Sequence, residues 1–334
     1  MTHEESNGPA PKKRRPVVKI FAIILALSFA LAIPLLFIKT DLHEVHSHEP
    51  LILVSIPPYK KIVQGLVGER FRVESVVPQG FDPHLYEAKP HDMKKLKEAA
   101  LWFGIGEAFE QRILQALSGA GSKVNYFNLV DELEKKGYAD LLIPFDDEHH
   151  GCTHDHHDHD SHCQSSNYDR HLWLSLELDS LQAQIIYEKL SEQYPHFKVV
   201  FEGYLEELVR EHDVLINWIE SNLKEFRPIS FVTPHPAYSY FAKEFDLTQI
   251  SIEVAGKEPN IQDLNHLLEE LKTTNVDCVI MQPQHSKKAA QKIGNDLDIP
   301  IYTIDPYAEN YLDTCNRLSL CLANKKKPGK HVRS

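Results

Sequence analysis

Short apolar runs alternate with amphipathic stretches along most of the chain. Apolar runs of this length, separated by helical patterns, predict buried strands of a parallel sheet. They lie at 51–56, 73–77, 101–105 and 124–129 in the first half of the chain and at 229–233, 249–253, 276–281 and 300–304 in the second half. Because the strands alternate with predicted helices, the sequence predicts two α/β layers.

One predicted helix is longer than the others and lies between the two sets of strands. Pro195 opens it, and its apolar positions recur near one face to about Lys224. A helix of this length spans roughly 42 Å at 1.5 Å per residue, which is more than one small lobe requires. We therefore predict an α/β protein of two lobes, each with a central, mostly parallel sheet, joined by one long rigid helix.

The predicted domain bounds follow from this alternation. They are 1–50 for an export segment with a polar tether, 51–194 for an N-terminal α/β lobe that includes loop 146–163, 195–227 for the linking helix, 228–327 for a C-terminal α/β lobe and 328–334 for a tail. The chain is long enough for two lobes of ordinary size.

The N-terminal segment has the composition of an export signal. Basic residues at 12–15 precede an apolar run at 20–38, and Ala30-Leu31-Ala32 offers a small-x-small cleavage site. The apolar run also approaches membrane-spanning length, so an uncleaved membrane anchor is the alternative. Both alternatives place the body of the protein outside the cytoplasm, in a periplasmic or equivalent space. No cysteine directly follows the run to carry a lipid anchor.

The charge of the chain limits its partners. Its formal net charge is -12, from 36 Lys and Arg against 48 Asp and Glu. No basic excess remains to neutralise phosphates, so nucleic acid is not an expected partner. The negative balance instead suits a cation.

Residues 146–163 contain no apolar side chain and combine histidine, acid and cysteine. They have nothing to bury, so we expect a solvated loop rather than part of a core. Imidazole, carboxylate and thiolate groups are the ligands of zinc and similar metals. The candidate accessory ligands of this His-rich loop are His149, His150, His154, His156, His157, His159 and His162. The alternative is an acidic linker that happens to be rich in histidine.

The cysteines allow disulfides outside the cytoplasm. Cys152 and Cys163 bracket most of the His-rich loop and could pair with each other or bind metal. Cys278 begins a predicted strand, while Cys315 and Cys321 lie on the last predicted helix, so either of these two could pair with Cys278. The odd number of cysteines leaves at least one thiol over.

Three histidines and an aspartate outside the His-rich loop occupy similar places. His84, His171 and His235 lie after strands or in loops, and Asp305 ends the last strand. In open α/β sheets, ligands bind beyond the carboxyl ends of the strands, which here border the cleft between the lobes. Three imidazoles and one carboxylate complete a four-coordinate zinc site. Taken singly, each histidine could instead cap a helix or lie on the surface.

The sequence around these residues resembles the zinc- and manganese-binding receptors of bacterial ABC importers, the cluster A-I family of periplasmic solute-binding proteins. The resemblance is carried by motifs at 77–87, 101–106, 171–175, 235–241, 282–284 and 303–306. It implies two α/β lobes joined by one helix, with the metal ligands on His84, His171, His235 and Asp305. The His-rich loop, and histidine rather than glutamate at position 235, are marks of the zinc-specific branch. His285 departs from the family, which usually has an aromatic residue there.

The resemblance implies a receptor that captures Zn²⁺ and delivers it to the permease and ATPase of a metal ABC importer. We expect a monomer without enzymatic activity, in which the His-rich loop collects zinc weakly. The alternatives are a receptor for manganese or an adhesin of the same family, a zinc buffer, and a zinc hydrolase. A hydrolase is disfavoured because the chain has no His-Glu-x-x-His motif and Asp305 would close the fourth position.

Overall fold

The computed structural model describes residues 49–144, 168–254 and 256–324. From Pro50 onward the chain clusters as a single unit. The predicted export segment, the His-rich loop with Cys152 and Cys163, and the C-terminal tail lie outside the described residues. Within the described ranges, no helix combines the length and the apolar character needed to cross a membrane.

The first sheet is built from four short strands. Strand β1, Leu51–Val54, is apolar and buried throughout, as expected for a central strand of a parallel sheet covered on both faces. The other strands are β2 (Arg72–Ser75), β3 (Leu101–Gly104) and β4 (Tyr126–Asn128). All pairs are parallel, in the order β2-β1-β3-β4.

Helices connect and cover these strands. They are α1 (Pro57–Val67), α2 (Pro90–Glu98), α3 (Ala108–Gly119) and α4 (Leu129–Lys135). Proline begins α1 and α2 because its missing N–H would have no partner in the first turn of a helix. The apolar face of α1, with Ile62, Val63 and Leu66, is fully buried.

The second sheet repeats the arrangement. Its strands are β5 (Ser230–Thr233), β6 (Thr248–Ser251), β7 (Cys278–Met281) and β8 (Ile301–Thr303). They are parallel in the order β6-β5-β7-β8. The helices of this half are α7 (Ser239–Glu244), α8 (Ile261–Thr273) and α9 (Lys287–Asp296). Asn260 begins α8 with a capping box, in which its side chain accepts the Asp263 N–H.

Three further helices complete the described fold, two between the two sets of strands along the sequence and one after the last strand. They are α5 (Leu176–Gln193), α6 (Lys198–Leu223) and α10 (Tyr311–Ala323). Helix α6 has 26 residues and packs against α1, α5 and α10. At 1.5 Å per residue it is about 39 Å long. The main hydrophobic core includes residues of both sheets and of α10.

The α/β fold with two parallel sheets and a long helix is confirmed. Two details differ from the predicted elements. Pro195 opens a 3₁₀ turn before α6 rather than the helix itself. The sequence pattern predicts that the preceding helix begins at about residue 179, whereas α5 begins at Leu176, because the Ser175 side chain accepts the Leu178 N–H and caps the helix there. The domain bounds stay predictions.

The described cysteines are free thiols. Cys278 lies in β7, and Cys315 and Cys321 lie on α10. Burial raises the pKa of the Cys278 and Cys315 thiols. The structure thus shows no disulfide among the cysteines it describes, which include the candidate partners Cys278, Cys315 and Cys321.

Candidate metal centre

Three loops bring the predicted histidines together. His84 lies in a short 3₁₀ turn beyond β2, His171 directly before another 3₁₀ turn, and His235 after β5. The backbone N–H of each histidine donates to a nearby side-chain oxygen. The acceptors are Asp82 Oδ1 for His84, Asp169 Oδ1 for His171 and Gln282 Oε1 for His235, each at 2.9 Å. These bonds fix the backbone from which each imidazole projects.

The Nε2 atoms of the imidazoles approach one another. His171 Nε2 lies 3.3 Å from His235 Nε2. The Tyr307 hydroxyl lies 3.1 Å from His171 Nε2 and 3.2 Å from His84 Nε2. Each histidine offers one ligand atom within 4.8 Å of those of the other two. His171 and His235 are buried, whereas the side chain of His84 is 31% exposed.

Each imidazole places its other nitrogen, Nδ1, against a carboxylate. The pairs are His84 with Glu107 at 3.3 Å, His171 with Asp169 at 2.7 Å, and His235 with Glu253 at 3.0 Å. A carboxylate that accepts the Nδ1–H leaves the Nε2 lone pair free, orients the ring and makes it a better ligand. The three pairs therefore present three Nε2 atoms to one point, as a metal ion requires.

The histidines differ in protonation. Burial acts to lower the pKa of His84, but the charge and hydrogen bond of Glu107 outweigh it and raise the pKa to about 9. Burial acts to raise the pKa of Glu107, but the charge of His84 lowers it to about 2. Burial lowers the pKa of His235 to about 4, although Glu253 opposes this shift. At neutral pH, His235 is therefore ready to bind a cation, while a cation must displace a proton from His84.

The three histidines line a cavity of about 720 Å³. His285 lines the same cavity and stacks on the ring of His235, with centroids 5.2 Å apart and an angle of 15° between the planes. Its Nε2 is buried and has no hydrogen-bond partner among the described residues. His285, which departs from the family pattern, thus contacts the ring of His235.

Asp305, the fourth predicted ligand, lies outside the group of converging ligand atoms. Its Oδ1 accepts hydrogen bonds from Gln284 Nε2 at 2.8 Å and from the Tyr307 N–H at 2.9 Å. Its Oδ2 accepts a hydrogen bond from Gln79 Nε2 at 3.3 Å. Amide donors, rather than imidazoles, therefore hold the carboxylate in this structure. Coordination of a metal by Asp305 stays a prediction.

The sequence prediction did not include the three carboxylates or Tyr307. One signal for Asp169 was available, because Asp82 and Asp169 each precede a predicted ligand by two residues. Aspartate at this spacing commonly accepts the N–H two residues further on, as both do here. Glu107, Glu253 and Tyr307 lie far along the chain from the histidines they contact, and no local spacing indicates them.

The fold and the histidine pocket define a class, the two-lobed solute-binding proteins with a pocket suited to a metal ion. Residues 52–319 match the ZnuA family, described as zinc-uptake complex component A, periplasmic. The chain belongs to this family.

Solved structures and relatives agree with this assignment. A crystal structure of ZnuA is 29% identical with a TM-score of 0.71, and the match covers 83% of this chain and 99% of that one. The manganese ABC transporter substrate-binding lipoprotein scaA of Streptococcus gordonii is 26% identical over 254 residues, 72% of this chain and 74% of its own. The zinc-binding protein AdcA of Streptococcus pyogenes serotype M3 is 24% identical over 267 residues, 76% of this chain and 50% of its own. Relatives named for zinc and for manganese are thus about equally similar to this chain.

Proposed function

We propose that this protein is an extracytoplasmic receptor that captures Zn²⁺ in the three-histidine pocket and delivers it to the permease and ATPase of a metal ABC importer. The observation that carries the proposal is the convergence of three Nε2 atoms whose Nδ1 atoms each face a carboxylate. Membership of the ZnuA family supports the transport role. This family consists of solute receptors and not enzymes, so the zinc hydrolase is dropped.

Zinc is proposed rather than manganese because of the donor atoms. Imidazole nitrogen suits zinc, whereas manganese favours oxygen ligands in octahedral geometry. A manganese receptor is the second candidate, and the similarity to scaA favours it. The two candidates differ in a measurable way, because a manganese receptor should hold Mn²⁺ tightly, whereas a zinc receptor should bind it only weakly.

The pocket supports a simple order of capture. His171 and His235 are 4% and 8% exposed, so they form the fixed inner part of the site. The side chain of His84 is 31% exposed, and an ion that enters through the cavity meets it at the more open side. Binding removes the proton of His84, and the three carboxylates offset the charge of the cation.

The N-terminal export segment and the His-rich loop complete the proposal from the sequence. Export would place the pocket outside the cytoplasmic membrane, as a released monomer or on an uncleaved anchor. The His-rich loop at 146–163 would collect zinc weakly and raise its concentration near the pocket.

Competitive titration of the metal-free protein tests the proposal. A chromophoric chelator competes for Zn²⁺ and then for Mn²⁺, and elemental analysis counts the bound ions. Wild type is expected to bind one zinc tightly and manganese weakly. His235→Ala should lose the tight zinc site, because it removes a buried ligand. His266→Ala, on the surface of α8 with a side chain 79% exposed, is the matched control and should keep the site.

Deletion of residues 146–163 separates the two parts of the proposal. The deletion should keep the tight site and lose additional weakly bound zinc. A tight manganese site that His235→Ala leaves intact would contradict the zinc assignment. Uptake at low zinc that does not change on deletion of the loop would contradict the role of the loop alone.

A further inference from the structure

A tyrosine hydroxyl lies among the three imidazoles. Oη of Tyr307 is 3.1 Å from His171 Nε2 and 3.2 Å from His84 Nε2, and His171 Nε2 is 3.3 Å from His235 Nε2. In a tetrahedral zinc site with bonds of roughly 2.0–2.1 Å, neighbouring ligand atoms lie about 3.3–3.4 Å apart. These three separations are close to the edges of such a tetrahedron, with Oη at one corner.

Several hydrogen bonds hold the backbone that carries this hydroxyl. The donors come from three separate segments of the chain: Trp173 Nε1 to Pro306 O at 2.7 Å, Tyr238 Oη to Ile304 O at 3.0 Å, and Thr314 Oγ1 to Asp305 O at 3.2 Å. The ring of Tyr307 is 1% exposed and packs against Trp173, with centroids 5.5 Å apart. Because backbone and ring are both fixed, Oη is positioned before any metal arrives.

The Asp305 carboxylate is the alternative oxygen donor to the metal, but its hydrogen bonds hold it in its present position outside the group of ligand atoms. Its carboxylate accepts hydrogen bonds from the side chains of Gln79 and Gln284 and from the Tyr307 N–H. To reach the imidazoles the carboxylate would have to give up these bonds. Its bond to the Tyr307 N–H makes it a positioning residue for the tyrosine.

We propose that the phenolic oxygen of Tyr307 is the fourth donor to the captured metal, completing a set of three nitrogens and one oxygen with His84, His171 and His235. This inference rests on the proposed function, because it concerns the ion held in the same pocket. A four-coordinate set of this kind suits zinc and leaves manganese short of the six oxygen ligands that it favours.

Tyr307→Phe tests the proposal because it removes the hydroxyl and keeps the ring against Trp173. Tyr311→Phe is the matched control, since the Tyr311 hydroxyl is also buried and lies 2.6 Å from an imidazole nitrogen, Nε2 of His212. Zinc affinity is measured by chelator competition, and the visible absorption of bound Co²⁺ reports the donor set. Tyr307→Phe should bind zinc more weakly by at least about 10-fold, the lower limit for losing even an outer-shell partner. Its Co²⁺ spectrum should change, whereas Tyr311→Phe should match wild type in both measurements.

Asp305→Asn is measured in the same way and provides a second test of the proposal if Tyr307→Phe folds poorly. It should retain the Co²⁺ spectrum of wild type and lose less affinity than Tyr307→Phe. Zinc binding by Tyr307→Phe that equals or exceeds wild type, or a changed Co²⁺ spectrum in Asp305→Asn, would overturn the inference and leave the proposed function standing. Failure of wild type itself to bind zinc tightly would overturn the proposed function.

Discussion

Two groups of buried and half-buried carboxylates in this protein lie in opposite electrostatic surroundings. The imidazole-facing carboxylates, each against Nδ1 of a histidine in the pocket, are Glu107, Asp169 and Glu253. The interior acids, which accept hydrogen bonds from backbone, amide or hydroxyl groups, are Glu110, Asp179 and Glu244. Both groups are largely removed from bulk water, so the difference between them comes from their partners.

The pKa values of Glu107 and Asp169 move in the opposite direction to those of the interior acids. Burial raises the pKa of Glu110, of Asp179 and, to about 7, of Glu244. Burial also acts to raise the pKa of Glu107 and Asp169, but the charges of His84 and His171 outweigh it and lower both. Burial alone therefore favours a neutral acid, and only the imidazole keeps the charge. The pocket retains negative charge beside its ligands, which suits a cation.

The largest expected effect comes from exchanging one acid of each group for its amide. Asp169→Asn should weaken zinc binding by about 10–100-fold, because the charge behind the His171 ring is lost. Asp179→Asn should leave zinc affinity unchanged, since an amide resembles the protonated acid that burial favours there. Chelator competition measures both variants, with thermal unfolding to confirm that they fold. Equal losses of zinc affinity in Asp169→Asn and Asp179→Asn would show that the difference between the two groups of acids does not affect metal binding.

The next effect is the pH dependence of zinc affinity. His84, with a pKa raised to about 9, must release a proton to bind zinc, whereas His235, with a pKa of about 4, is already neutral near pH 7. Protons therefore compete increasingly as the pH falls, and affinity should decrease about tenfold per pH unit from pH 8 to pH 6.

Calorimetry in buffers of different ionisation enthalpy counts the protons released. Glu107→Gln removes the partner that raises the pKa of His84, so it should release fewer protons per zinc at pH 8. An affinity that stays constant from pH 8 to pH 6 would contradict the protonation assigned to His84.

The smallest effect concerns stability and the interior acids. The folded-state pKa of Glu244, about 7, lies above its ordinary value of 4.5, so the folded state binds this proton more tightly than the unfolded state. The free energy of unfolding should therefore fall as the pH rises from about 5 to about 7. Glu244→Gln should reduce this fall by on the order of 1 kcal/mol, because the side chain is partly exposed and solvent screens it.

Urea unfolding at the two pH values measures this difference. Glu270→Gln, whose side chain on α8 is 61% exposed, is the control and should behave as wild type. If the free energy of unfolding of Glu244→Gln depends on pH as much as that of wild type, another group causes the effect.

The sequence predicts the scaffold well because strand burial and helix periodicity are local signals. The apolar run that became β1 and the strand-end positions of His84 and His235 are readable from neighbouring residues alone. Glu253 contacts His235 from 18 positions away, and its role depends on β6 lying beside β5. No pattern within either segment encodes that pairing.

Asp305 and Tyr307 show the same limit within three residues. The position of Asp305 at the end of the last strand predicts a ligand, since ligands gather at that edge. Its hydrogen bonds to Gln79 and Gln284 decide where its carboxylate points, and Gln79 lies 226 positions away. Tyr307 reaches the imidazoles because the chain turns after the strand. The position of a residue at a strand end does not predict the direction of that turn.

A crystal structure of the zinc-loaded protein, with anomalous diffraction at the zinc edge, tests the central claim most directly. One strong anomalous peak is expected among the three imidazoles, at roughly 2.0–2.1 Å from Nε2 of His84, His171 and His235. Each Nδ1 should still face its carboxylate. A peak bound through Nδ1 atoms, or one located elsewhere with these imidazoles free of metal, would contradict the account.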